Sequence, residues 1–436
     1  MTSAKGPDAG RTMVPAVGGQ RLVPAPDAVA RDYILLALRL DHRMPGLVDG
    51  YFGPADLKTQ VDLEPLRAPG RLRADIAALR DRIPDEVAEP ARARWLSAQV
   101  AALEAHVRAL EGEPRPYVEH VARCFDFVPR RLPEADFASA AAALDGLLPG
   151  AGPIHERLVA WDERFVVAND RLPALAEWLV DRFRSRAGSS FGLPAGESLR
   201  VGLVHDQPWT AYNWYDGGSR SRVDLNTDVP INVARLVHTV AHETYPGHHL
   251  EHAWKEADQV VAAGHLESSV LLINTPECFI SEGLADLGHR FASPPGEEAG
   301  LLIEAYEQAG LALARDPMAA REAADLTLAA GPHVAVLRAV AVNAALMRNA
   351  DGSSHDAVLG YLRDVGLMAP DRAAQRLSFI EHPLWRTYVF VYTEGEALLR
   401  RGIEQVPSSE QPARFGRLLH EQLTPGSVAD ELAGGS

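Results

Sequence analysis

The stretch His242-Glu243-Thr244-Tyr245-Pro246-Gly247-His248-His249 concentrates the residue types of a hydrolytic metal centre. Neutral imidazole is the commonest protein metal ligand. A glutamate directly after a ligand histidine is placed to handle the proton of a metal-activated water. Five of the 16 histidines lie between positions 238 and 252, so this segment is the first place to look for chemistry.

The spacing differs from the usual His-Glu-x-x-His, in which the second histidine follows one turn later on the same helix face. Here that position is Pro246, which offers no ligand atom. In an unbroken helix His248 would sit about 9 Å further along the axis and on another face. Pro246 has no N–H for the carbonyl of His242 and biases Tyr245 away from helical angles. Gly247 adds backbone freedom. A helix that breaks over 245–247 and restarts, with Pro246 as a possible first residue, could swing His248 back beside His242. Without a metal, His238/His242 and His248/His252 would be ordinary helix-face pairs.

The elements that must position these residues are readable on both sides. Ile231 to Tyr245 reads as a buried helix whose polar residues Asn232, Arg235, Thr239, His242 and Glu243 form one stripe, as a helix facing a polar cavity requires. Before it, the runs 199–205, 209–215 and 221–228 read as a small sheet, with Asp216-Gly217-Gly218 as a hairpin turn. An exposed strand there could take an extended peptide as an added strand.

A hydrolytic zinc site usually has three protein ligands and one open position. The stretch 275–286 reads as a helix beginning near Thr275 or Pro276. It places Glu282 and Asp286 one turn apart in apolar surroundings, which suits a ligand carboxylate and a supporting carboxylate that holds a histidine by its other ring nitrogen. Glu277 is the rival ligand, but it lies in the first turn, where acids are common as caps. Glu282 is favoured.

The string His242-Glu243-x-x-Pro246-Gly247-His248-His249, followed by Glu282-Gly283-x-Ala285, resembles a bacterial family known as domain of unknown function 885. That family is grouped with gluzincin-like zinc metallopeptidases. Tyr212-Asn213-Trp214-Tyr215, Asn226-Thr227-Asp228 and Tyr392-x-x-Gly395 extend the likeness. The resemblance implies zinc at His242, His248 and Glu282, with Glu243 as base. It prefers His248 to His249, which is then a supporting residue with Asp286. Leu284 stands where many relatives carry Trp, a departure that touches substrate choice rather than the metal. Arg338 and Asn343 fall where relatives carry Arg and Asp. Met347 stands where many have His, leaving His333 or His382 as substitutes.

Tyr388 and Tyr392, one helical turn apart, are candidates to donate a hydrogen bond to a developing oxyanion. An arginine can hold a substrate carboxylate through two parallel bonds, and Arg338 is added to the catalytic set on the resemblance.

Composition bounds the rest. The chain has 436 residues, 47% hydrophobic and 23% charged, an ordinary globular balance. Its net charge of −16 argues against nucleic acid and against an anionic membrane as partners. No apolar stretch approaches the roughly 20 residues of a membrane span. Cys124 and Cys278 read as reduced thiols. Residues 1–26 read as a disordered tail without a signal-peptide core, so a cytoplasmic location is expected. Amphipathic helices are expected over 71–83, 87–112, 133–147 and 153–187, and the tail is expected to lose order beyond about Leu423.

The expected fold is therefore mainly α, a large helical zinc-peptidase-like domain with a small β-sheet beside the active-site helix. One catalytic domain spans 27–430, with a helical half at 27–195 and a metal-site half at 196–430. The expected function is zinc-dependent hydrolysis of amide or peptide bonds in short peptides. The alternatives are a metal-dependent enzyme acting on a small non-peptide amide or biosynthetic intermediate, and a non-catalytic binding module. Oligomeric state is open.

Overall fold

A computed structural model describes residues 26–207 and 209–434. The expected tail at 1–26 lies outside them except for Pro26.

Helices dominate, as expected. The first is α1 (Ala28–Asp41), capped by the Asp27 side chain on the Ala30 amide. A short strand, β1 (Val48–Tyr51), and the helices α2 (Ala55–Asp62), α3 (Pro69–Glu86), α4 (Pro90–Leu110), α5 (Tyr117–Phe125) and α6 (Glu134–Leu147) follow. The single helix read over 153–187 is two, α7 (Ile154–Glu163) and α8 (Leu172–Phe191). Between them Val166 bridges to Asn232, and Pro173 lies in the first turn of α8, where its missing N–H costs nothing.

A three-stranded sheet comes next: β2 (Ser198–Val204), β3 (Ala211–Tyr215) and β4 (Arg220–Asn226), in the order β2-β4-β3. The β3–β4 pair is an antiparallel hairpin, and Gly217 and Gly218 supply the positive φ of its turn. The β2–β4 pair is parallel.

The site then assembles from α9 (Val233–Glu243), α10 (His248–Lys255), β5 (Val270–Leu272) and α11 (Pro276–Gly288). β5 pairs antiparallel with β1, although the stretch Val48-Asp49-Gly50-Tyr51-Phe52-Gly53-Pro54 reads in sequence as an aromatic turn. The C-terminal part adds α12 (Glu298–Gln308), α13 (Pro317–Arg338), α14 (Val340–Asn349), α15 (His355–Asp364), α16 (Pro370–Glu381), α17 (Val389–Glu404), α18 (Gln411–Leu418) and α19 (Pro425–Gly434).

The tail beyond Leu423 is thus helical, not disordered. Asp126, at φ 52, accepts hydrogen bonds from Thr424 Oγ1 and the Gly426 amide, both at 3.0 Å, and pins its start. The run Pro317–Asn349 does reach the length and apolarity of a membrane span, with a mean hydropathy of 1.3. It is broken at Ala339, and α14 is buried in the core over Val340–Leu346.

One apolar cluster runs from Val29 on α1 to Val428 on α19. At its centre α11 crosses α17 at glycines: a Cβ on Gly283 would fall 2.5 Å from the Gly395 backbone carbon. That contact is the physical content of the Glu282-Gly283 and Tyr392-x-x-Gly395 patterns. It brings Tyr388 and Tyr392 against the helix that carries Glu282.

Candidate metal centre

The helix break falls where the sequence placed it. α9 is capped by the Asn232 side chain on the Arg235 amide at 2.8 Å and ends at Glu243. α10 begins at His248, later than Pro246, with Gly247 as its cap. The Tyr245–Pro246 peptide is cis. A Cβ on Gly247 would lie 1.9 Å from the His242 carbonyl oxygen, so only glycine fits the return of the chain onto α9.

This turn brings the His242 and His248 rings to 4.7 Å, edge to face. Glu282 arrives from α11. Its Oε2 lies 3.5 Å from His242 Nε2, and its Oε1 lies 3.7 Å from His248 Nε2. One ligand atom from each of the three residues falls within 4.8 Å of the others. Tetrahedral zinc with bonds of about 2.0–2.1 Å separates its ligand atoms by roughly 3.3 Å, close to this spacing. Glu282 Oε2 is buried with no hydrogen-bond partner, an expensive state for a carboxylate oxygen unless a cation faces it. The donor set of two imidazoles and one carboxylate therefore fits a divalent metal.

The other ring nitrogens are held by acceptors, which sets the tautomers. His242 Nδ1 lies 3.0 Å from Asp286 Oδ1, so Nδ1 carries a proton and Nε2 is the nitrogen left to face a metal. His248 Nδ1 lies 3.2 Å from Ser281 Oγ, and that hydroxyl donates to Glu251 Oε2 at 2.6 Å. Glu251 in turn accepts from Lys255 Nζ at 2.7 Å. Tyr388 donates to Glu282 Oε1 at 2.6 Å.

Charge follows the same pattern. Burial opposes a charged imidazole at His242, but Asp286 and Glu282 outweigh it and hold the ring well above the usual range. His248 is likewise pushed up to about 10 against burial, by Glu251 and Glu282. Burial alone would raise Glu282, yet the two histidines hold it far below the usual carboxylate range. The cavity thus favours positive charge where the three ligands point. Burial raises Glu243, whose side chain makes no hydrogen bond among the described residues; its backbone carbonyl accepts from Asn213 of β3 at 2.6 Å.

Other candidates sit elsewhere. His249 does not support the ligand set. It is fully buried, with Nδ1 on Ser221 Oγ at 2.8 Å and Nε2 on Glu197 Oε2 at 3.0 Å. It faces the sheet because adjacent helix positions point about 100° apart. Glu277, the rival ligand, faces Lys255 at 3.5 Å. Tyr392 packs edge-on to Tyr388 at 5.5 Å. Arg338 is exposed at the end of α13 and makes no hydrogen bond or ion pair with the ligand set among the described residues. His382 Nδ1 accepts the Leu384 amide.

Sequence reading missed Ser281, Glu251 and Lys255. Glu251 stands one turn after His248, a spacing that could have marked it; Ser281 gave no signal. A second group, His106, His120 and Cys124, also has ligand atoms within 4.8 Å. There His106 Nε2 is used on the Asn274 carbonyl at 3.0 Å, and burial pushes the Cys124 thiol up to about 12, so it reads as core.

No protein-family model matches the chain, and no curated protein matches it. Solved structures do resemble it. A candidate lipoprotein from Colwellia psychrerythraea aligns with a TM-score of 0.52 at 16% identity, over 83% of this chain and 66% of that one. The chain thus spans just under two thirds of that relative's length. A candidate lipoprotein of unknown function from Shewanella oneidensis aligns with a TM-score of 0.46 at 11% identity, over 90% of this chain and 77% of that one. The first likeness establishes a shared fold. It also overturns the expected cytoplasmic location: the relative that shares the fold is named as a lipoprotein, and a low cysteine count cannot outweigh that.

Proposed function

We propose that this chain is a zinc-dependent hydrolase of amide or peptide bonds in short peptides, of the gluzincin-like kind that its His-Glu-x-x-Pro-Gly-His-His pattern resembles. The observation that carries the reading is the convergence of His242 Nε2, His248 Nε2 and an unpartnered Glu282 oxygen, with Glu243 next in the chain. A zinc ion bound by these three residues would supply a water of near-neutral pKa and a Lewis acid for the scissile carbonyl.

The chain's own residues do the remaining work. Glu243 takes a proton on its carboxylate and delivers it to the leaving amine. A buried carboxylate with a raised pKa is suited to hold that proton between the two transfers. Asp286 and Ser281 orient the two imidazoles. Tyr388 spends its hydroxyl proton on Glu282, so it positions the ligand. Tyr392, with no hydrogen bond to Glu282, remains as a donor to the developing oxyanion. The edge strand β3, tied to α9 through Asn213, offers a ledge for an extended substrate.

The test is metal analysis beside hydrolysis of a library of dipeptides and N-acyl amino acids. Wild type should bind one equivalent of zinc and turn over. His242→Ala should lose the metal. Glu243→Gln should keep it and lose about 10²–10⁴-fold in kcat. Stoichiometric zinc in His242→Ala would end the proposal.

A further inference from the structure

Four arginines from three separate elements lie within reach of one another's charge. Arg235 lies on α9, Arg338 ends α13, and Arg372 and Arg376 lie on α16. Arg235 and Arg376 are half-buried, whereas Arg338 and Arg372 are exposed. Each is close enough to the others to matter: the charges of Arg372, Arg338 and Arg376 act on Arg235, and those of Arg338 and Arg372 act on Arg376. With burial acting first, Arg235 is pulled down to about 10.

None of the four forms an ion pair with a carboxylate within 4.0 Å among the described residues. The carboxylate felt nearby is Asp162, whose charge is coupled to Arg235 and to Arg338. Other arginines of the chain do find carboxylates. Arg348 pairs with Glu381 at 2.6 Å at the far end of the same α16, and Arg92 pairs with the buried Glu267 at 2.6 Å. In a chain of net charge −16, gathering like charges without partners costs free energy that a bound anion would recover.

Two of the four are linked toward the ligand set by their position on α9 and by contacts. Arg235 and His242 share the polar stripe of α9, two turns or about 10 Å apart along the axis. Arg235 Nη2 lies 3.4 Å from Thr210 Oγ1, at the foot of β3. The Arg376 guanidinium lies 5.9 Å from the Phe379 ring, and Phe379 stands edge-on to Tyr388, the residue bonded to Glu282.

We propose that Arg235, Arg372 and Arg376, with Arg338 at their margin, form an anion subsite that takes the carboxylate groups of an acidic peptide or amide substrate. Planar guanidinium forks match carboxylates bidentately. The assignment of those carboxylates to a substrate rests on the hydrolase reading; the binding of the anion does not.

The test uses the full chain loaded with zinc and titrated by calorimetry with glutarate and with the neutral glutaramide. Glutarate should bind saturably and glutaramide at least tenfold more weakly. Arg372→Gln, at an exposed position that leaves the fold intact, and Arg376→Gln should each weaken glutarate at least tenfold. His248→Ala, which removes a metal ligand, should keep glutarate binding. Equal binding of the two probes, or unchanged binding in both arginine variants, overturns the subsite. So does loss of glutarate only in His248→Ala, which would place the anion on the metal. Glutarate binding through the arginines in a protein that hydrolyses no amide would sustain the subsite and defeat the hydrolase reading.

Discussion

Asp286 holds His242 from behind: its Oδ1 lies 3.0 Å from His242 Nδ1, while Nε2 of the same ring points at Glu282. Two residues on α11, one turn apart, thus grip one imidazole on α9 from opposite sides. Asp286→Asn should weaken zinc affinity by about 10–100-fold, because an amide can turn its NH₂ to the ring and no longer fixes the tautomer. Ser281→Ala removes a neutral acceptor from His248 and should cost less, about tenfold. Competition with a chromogenic chelator measures both, and equal affinities in all three proteins would refute the supporting roles.

Gly247→Ala should disrupt the site outright. The added methyl would have to share space with the His242 carbonyl oxygen, 1.9 Å away. The backbone must move, and His248 moves with it. The expected result is a folded protein, by circular dichroism, that has lost its stoichiometric metal. A variant that binds zinc like wild type would show that the tight return of the chain does not matter.

Lys255 is buried against Glu251 at 2.7 Å and Glu277 at 3.5 Å. Lys255→Met leaves two carboxylates facing each other in the interior. The expected loss is about 3–5 kcal/mol of stability, the usual result of breaking a buried ion pair by removing one partner. Urea unfolding reads it directly.

Glu197 sets an acid limit on the fold. Its carboxylate is almost fully buried, which would raise its pKa. Hydrogen bonds from His249, Tyr245 and Arg184 reverse this and hold it at about 2. An unfolded glutamate titrates near 4.3. The folded pKa is the lower one, so the contribution is complete above about pH 4.5 and is lost as pH falls toward 2. The shift corresponds to at most about 3 kcal/mol. Glu197→Gln should be less stable than wild type at pH 7, with the gap narrowing as pH falls from about 4.5 toward 2. A gap that stays constant across that range would remove Glu197 from the account.

Much of the site was legible because its signals are local. Pro246 and Gly247 announce a helix break through backbone chemistry alone, and the one-turn spacing of Glu282 and Asp286 puts both on one face wherever α11 packs. The aromatic strand and its Gly217-Gly218 turn likewise follow from short-range rules. What failed depended on distant partners. β1 looked like a turn because β5, its partner, lies more than 200 residues away. The tail beyond Leu423 looked free because Asp126 holds it from another part of the chain.

By itself the sequence determined which residues could ligate a metal, where the helix carrying them must break, and that the rest would be mainly helical. Only the tertiary structure decided which candidates meet. It turned His249 to Glu197 and the sheet, gave Glu277 to Lys255, and set Tyr388 on Glu282. It also gathered Arg235, Arg372 and Arg376 from two helices. The reason is geometric. Spacing along one helix fixes a side chain's direction relative to its neighbours, but a ligand set needs atoms from several elements within a few ångströms. Here that closeness comes from packing contacts such as Gly283 against Gly395, which no local pattern encodes.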